Sequence, residues 1–183
     1  KAILVHGVYL NDNDIDIINA HDAFLVHNTR SNMNNSVGYM HKLNQVKNGA
    51  LGTDGIGSNM FDESKFAFFK NADAKGKISM DDVLRLLDNG NTILNRYFDM
   101  KFGRIEKGFA ADLVIYDYCA PTPLLSENLQ GHMIFGMESH DVETVIVNGN
   151  IVYEKRSFPF DTEEIYEKSR LAAKKLWTKM DSI

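Results

Sequence analysis

Apolar residues in the first third of the chain fall into short runs, and each run closes on one polar side chain. Ala2-Ile3-Leu4-Val5 leads to His6-Gly7-Val8, Ala23-Phe24-Leu25-Val26 leads to His27, and Ala50-Leu51 leads to Gly52-Thr53-Asp54-Gly55. Runs of this length, bounded by turn residues, predict buried strands. Between the first two, Asn11 and Asp14 form a capping-box start for a short helix with Ile15 and Ile18 on one face. Asn28 to Tyr39, rich in Asn, Ser and Gly, reads as a long loop, and a short helix through Leu43 and Val46 is stopped by Gly49. Strand, helix, strand, loop, helix, strand is the rhythm of a parallel α/β sheet, whose functional groups gather at the carboxyl ends of the strands.

Beyond Asp54 the spacing becomes helical. Asp62 to Asn71 carries Phe66 and Phe69 on one side, which reads as packing, and Ser79 with Asp82 caps a helix striped by Val83, Leu84 and Leu87. A third piece runs from Thr92 to Phe98. Short β segments follow at Leu113–Tyr116, Thr144–Val147 and Ile151–Tyr153, and Asn148-Gly149-Asn150 between the last two is a strong hairpin signal. Asp161 to Met180 reads as an amphipathic helix with Ile165, Ala172, Leu176 and Met180 in one stripe.

Composition narrows the class. The 183 residues are 44% hydrophobic, enough for a packed core rather than disorder. A net charge of −5 without basic clusters argues against nucleic acid and favours a small-molecule partner. No apolar run reaches the roughly 20 residues of a membrane span. The single Cys119 excludes an internal disulfide framework and suits a reducing, cytoplasmic setting. Because the chain opens on Lys1 with strand-like residues, it reads as the tail of something larger.

Asp54 and His6 are the candidate chemical pair, although Thr-Asp-Gly is also ordinary turn chemistry and a histidine on an apolar strand is commonly structural. His27 shares that ambiguity. Ser31, Asn32, Asn34, Asn35 and Ser58 are explained as loop residues unless a shared site gathers them, and His21, His41, His132 and His140 show no metal-ligand spacing. No phosphate-binding glycine loop, nucleophile elbow or cysteine-rich zinc pattern is present.

Taken in order, Val5-His6-Gly7-Val8, then Val26 to Asn35, then Leu51-Gly52-Thr53-Asp54-Gly55 resemble the metal-dependent amidohydrolase superfamily, nearest its chlorohydrolase and nucleobase-deaminase branch. Gly103 to Ile115 is similar to the segment where such enzymes leave the barrel for a small β-sandwich. Ser31 to Asn35, Pro121-Thr122-Pro123-Leu124 and Gly131 to Met137 resemble a subgroup of aminohydrolases associated with bacterial purine and selenium-linked catabolism.

The resemblance implies the C-terminal portion of a (β/α)8 barrel over 1–101, contributing strands six to eight, part of a β-sandwich over 102–160 and a terminal helix over 161–183. It implies one divalent metal, zinc or iron, activating water against a C–N bond of a heterocyclic amidine or amide. Asp54 matches the eighth-strand aspartate that contacts the metal and takes a proton. His6 matches the sixth-strand histidine that polarises the substrate, Ser58 a position where some relatives touch it, and His27 and Asn28 border the seventh-strand loop. The family's other metal ligands would lie upstream of Lys1, so the 183 residues alone are expected to be catalytically silent and to need a complementing half or an oligomer. A dechlorinase on the same machinery and a non-catalytic interaction module are the competing expectations.

Overall fold

The computed structural model describes residues 2–182; Lys1 and Ile183, the outer ends of the expected barrel segment and terminal helix, lie outside the described residues. Strands β1 (Ile3–Val5), β2 (Phe24–His27) and β3 (Gly49–Leu51) form a parallel sheet in that order, with Ile3 opposite Phe24 and Leu25 opposite Gly49. Helix α1 (Asp12–Ala20) makes the first crossover, with the expected reciprocal bonds between Asn11 and Asp14 and with Ile15 and Ile18 buried. The sheet's covered side is built from Ile15, Ile18, Leu25, Leu43, Val46, Val83 and Leu86.

Helix α2 (Thr29–Asn34) occupies the first half of the stretch expected to be a loop. Asn and Ser compete with the backbone for hydrogen bonds and so look loop-like in isolation. Here tertiary partners satisfy the helix instead: its N-cap, Asn28, makes no side-chain cap bond, and the Glu63 carboxylate receives the Arg30 N–H at 3.3 Å. Leu43–Gln45 is a single 3-10 turn rather than a helix, and Gly49 begins β3 rather than stopping anything. A side chain at Gly49 would meet Leu86 Cδ2 at 2.8 Å, so glycine is required by the close approach of the helix above.

That helix is α4 (Met80–Tyr97), preceded by α3 (Met60–Asp73). The capping box of Ser79 and Asp82 forms as expected, but α4 runs unbroken through Gly90, where a separate piece from Thr92 was expected. An interior glycine costs about 1 kcal/mol, which packing of one face on β3 outweighs. Val83 and Leu86 are the fully buried pair on α4, and Phe66 and Phe69 on α3 are half-exposed, the buried face there being Glu63, Ser64, Ala67 and Asn71. Phe69 instead meets Phe135, ring centroids 5.9 Å apart.

A second, antiparallel sheet joins β4 (Leu113–Tyr116), β5 (Val142–Val147) and β6 (Asn150–Tyr153) in that order. The β5–β6 hairpin turns on Asn148 and Gly149 at φ 48° and 78°, the pair of positive angles that matches the twist of the strands. Between β4 and β5, helix α5 (Leu129–Gly131) widens into a π turn at His132–Gly136. Helix α6 (Thr162–Met180) is capped by Asp161 as its sequence suggests, yet its stripe is not covered: no α6 residue is buried. Among the described residues, no helix is long and apolar enough to cross a membrane.

Candidate active site

The three parallel strands end side by side, and the segments leaving their carboxyl ends build one site. After β1 the chain leaves extended geometry at His6, φ 67°, and after β3 it does the same at Asp54, φ 53°. A side-chain-bearing residue held in the left-handed region costs on the order of 1 kcal/mol or more and persists where its surroundings over-determine it. Both candidate groups are such residues. Gly52 makes the approach possible, since a Cβ there would lie 2.6 Å from Val26 Cγ1.

His6 and Asp54 converge across the end of β2, with His6 Nε2 3.7 Å from Asp54 Oδ2 and both side chains near 40% exposed, at 41% and 44%. Consecutive residues of α2 hold them. The Ser31 hydroxyl donates to Asp54 Oδ2 at 2.6 Å, and Asn32 presents Oδ1 to His6 Nδ1 at 2.9 Å. With its proton on Nδ1, the neutral imidazole turns the Nε2 lone pair toward the carboxylate. Two acceptors facing one another favour a proton, a cation or a substrate N–H between them. The Ser31 hydrogen bond, then the Gly55 N–H at 2.8 Å on Oδ1, hold the Asp54 carboxyl below the usual range, against the smaller opposing effect of burial.

The pair opens into a cavity of about 450 Å³ whose walls include Val8, Tyr9, Leu10 and Val37, with Asn35 at the polar side. This is the size and apolar character of a small-ligand site. Ser58 is exposed and does not line it. His27 and Asn28 are buried, 1% and 4% exposed, and neither lines the cavity. Burial drives His27 to a pKa of about 4, outweighing the opposing influence of the His6 backbone. Both His27 ring nitrogens, Asn28 Oδ1, Thr29 Oγ1 and Asn32 Nδ2 are buried without hydrogen-bond partners, a concentration of unmet polarity where β2 passes into α2.

Ser31, Asn32 and Asn35, loop-like by composition, are therefore site residues. Only their place in the family-like motif distinguishes them in the sequence; Arg30 and Glu63, which brace the site from behind, carry no signal at all. A second depression of about 360 Å³ surrounds His132, whose nitrogens are occupied by Tyr118 Oη at 2.8 Å and Thr122 Oγ1 at 3.1 Å. With both nitrogens engaged, His132 pins the 118–122 segment onto the π turn.

A catalytic zinc takes three protein ligands. Among the described residues no group of three or more His, Cys, Asp or Glu side chains is placed to hold a metal ion, so these residues by themselves do not fit one.

The chain is similar to several known proteins. The 5-methylthioadenosine/S-adenosylhomocysteine deaminase of Thermococcus onnurineus is 32% identical over 158 residues, covering 82% of this chain and 37% of that protein. The protein of the same name from Pelotomaculum thermopropionicum is 30% identical over 186 residues, covering 96% and 42%. The chain thus spans about two fifths of the length of these relatives. Among solved structures, an adenosine deaminase of Xanthomonas campestris with bound zinc superposes with a TM-score of 0.82 at 25% identity, covering 96% of this chain and 42% of that one. The atrazine chlorohydrolase of Arthrobacter aurescens, complexed with zinc, shares the fold at a TM-score of 0.75 and 18% identity, over 92% of this chain and 40% of that one. With the family model for amidohydrolases matched across residues 1–152, which take in the parallel sheet, all but the last residue of the antiparallel one and every residue of the site, the chain belongs to the amidohydrolase family.

Proposed function

We propose that this chain supplies the C-terminal portion of a metal-dependent hydrolase that cleaves a C–N bond, by deamination or ring opening of a heterocyclic amidine or amide. The observation that carries the reading is the His6–Asp54 pair: a lone pair and a carboxylate 3.7 Å apart, at the ends of strands flanking β2, facing a mostly apolar cavity. In such a reaction water adds to the amidine carbon and gives up a proton, and ammonia departs carrying one. Asp54, kept ionised by Ser31 and Gly55, is the group to accept the water's proton, and His6, when Nε2 as well as Nδ1 carries a proton, the one to donate from Nε2 to the ring atom where negative charge develops. Val8, Leu10 and Val37 would shield the ring from bulk water.

The deaminase names of the relatives make aminated purine nucleosides the first substrates to try. We further assign residues 1–101 to barrel strands six to eight, 102–160 to part of a β-sandwich and 161–183 to an appended helix. Asp54 is offered as one ligand of a divalent ion, zinc before iron, whose other donors come from outside these residues. The chain by itself is then catalytically silent. Association with the remaining barrel or with further copies is favoured by the exposed edge strand β1 and the uncovered α6 face. The exposed free thiol of Cys119 suits a reducing cytoplasm.

The test is ammonia release from a panel of aminated heterocycles by the assembled enzyme, with chloride release from chlorinated analogues measured beside it. Asp54→Asn is expected to lower turnover on the order of 100-fold or more. Unchanged turnover in that variant would remove Asp54 from the chemistry and favour a scaffold role.

A further inference from the structure

One buried charge pair beside the site is not explained by the contacts of His6 and Asp54 themselves. Glu63 on α3 is 0% exposed, and its Oε2 receives Arg30 Nε at 2.8 Å while Oε1 receives the Arg30 backbone N–H. The far end of the same guanidinium donates from Nη2 to two carbonyls, Ile56 at 2.9 Å and Gly57 at 2.7 Å. Those carbonyls belong to the turn that carries Asp54. The turn's other bonds are Ser31 Oγ to Asp54 Oδ2 at 2.6 Å from α2 and, within the turn, Gly55 N to Asp54 Oδ1 at 2.8 Å, Thr53 Oγ1 to Asp54 O at 3.4 Å, Ile56 N to Thr53 O at 3.4 Å and Asn59 N to Gly57 O at 2.7 Å. Arg30 is thus what ties its Ile56–Gly57 half to α2 and α3.

Arg30 also precedes, without a gap, the two residues that grip the pair. Arg30 binds the turn and α3, Ser31 binds Asp54, and Asn32 binds His6. We propose that Arg30 is a positioning residue that locks α2 against α3 and against the 53–58 turn, so that Ser31 and Asn32 fix the separation and orientation of the His6–Asp54 pair. A planar guanidinium can meet a carboxylate on one edge and carbonyls on the other; an ammonium is a point charge and cannot span both. The geometry stands by itself, while its functional meaning rests on reading Asp54 as the site carboxylate.

Backbone 15N order parameters of the 183-residue chain test it, comparing wild type with Arg30→Ala and Arg30→Lys. Residues 53–58 are expected to be rigid in the wild type, near about 0.85, and to fall toward about 0.6 in both variants while β5 is unchanged. Lysine, keeping the charge opposite Glu63, restores folding without restoring the turn; should Arg30→Ala fail to fold, Arg30→Lys decides alone. An equally rigid turn in Arg30→Lys, a turn already mobile in the wild type, or equal loosening of β5 overturns the proposal. The order parameters read the turn alone, while turnover of Asp54→Asn in the assembled enzyme reads the role of Asp54, so failure of the one is seen apart from failure of the other.

Discussion

His27 makes the fold acid-sensitive in a window that can be worked out in advance. In the unfolded chain its imidazole takes a proton near pH 6.5; in the folded chain burial defers this to about pH 4. Between those values the unfolded state binds a proton that the folded state refuses, so stability falls as pH falls, is complete above about 6.5 and reaches its full loss below about 4. At roughly 1.4 kcal/mol per tenfold, the whole gap is worth about 3 kcal/mol, of which about 2 kcal/mol is gone at pH 5. Urea unfolding at pH 7.5, 6 and 5 reads this directly: with a slope of about 2 kcal/mol per molar urea, the midpoint drops by about 1 M over that range. The matched His27→Gln chain keeps a side chain of similar size and every other titrating group but has no proton to gain. The comparison therefore isolates residue 27, and wild-type stability should fall by about 2 kcal/mol more than the variant's between pH 7.5 and 5. Parallel pH dependences for the two chains would refute the reasoning, as would an NMR titration of His27 centred near pH 6.5.

Ser31→Ala removes the largest influence on Asp54, so the Asp54 carboxyl should titrate at higher pH, as read from its carboxyl 13C shift; a value unmoved by the change would deny the 2.6 Å bond. Leu86→Ala takes a fully buried side chain from over β3 and should cost about 2–5 kcal/mol in urea unfolding, a loss below about 1 kcal/mol being inconsistent with the packing seen. Gly149→Val places a β-branched residue at φ 78° and should destabilise the chain by at least about 1 kcal/mol, with lost NOEs between β5 and β6; a neutral effect would contradict the hairpin turn.

The features legible in the sequence are local ones. Asn11 with Asp14 and Ser79 with Asp82 each satisfy their helix ends within one turn, and Asn148-Gly149 needs only its own backbone angles, so all three signals survive folding intact. The parallel strands announce themselves through short apolar runs bounded by turn residues. Helix α2 is hidden because its stability comes from Glu63, 33 residues away, and not from its own Asn- and Ser-rich composition. Gly90 looks like a boundary because the contacts of Leu86 and Asn89 with Gly49 of β3, which help to carry α4 past it, are invisible in the sequence. The stripe on α6 is legible as apolar, but which surface covers such a stripe is not a local property. At the site, Asp54 and His6 stand out as polar ends of apolar strands; Ser31 and Asn32 do not, because only the curl of α2 brings them over the strand ends.

Asp54 is proposed as one ligand of a metal centre that the 183 residues do not complete, with His6 facing the substrate beside it. Elemental metal analysis of the purified 183-residue chain, with its intact mass confirmed on the same sample, tests it most directly. The expected result is far less than one metal ion per chain in a single species of this mass, because fewer than the three protein ligands a catalytic zinc takes are on hand. Zinc or iron at about one ion per chain, lost in Asp54→Asn, would contradict the account and show that the chain assembles a complete centre from its own side chains.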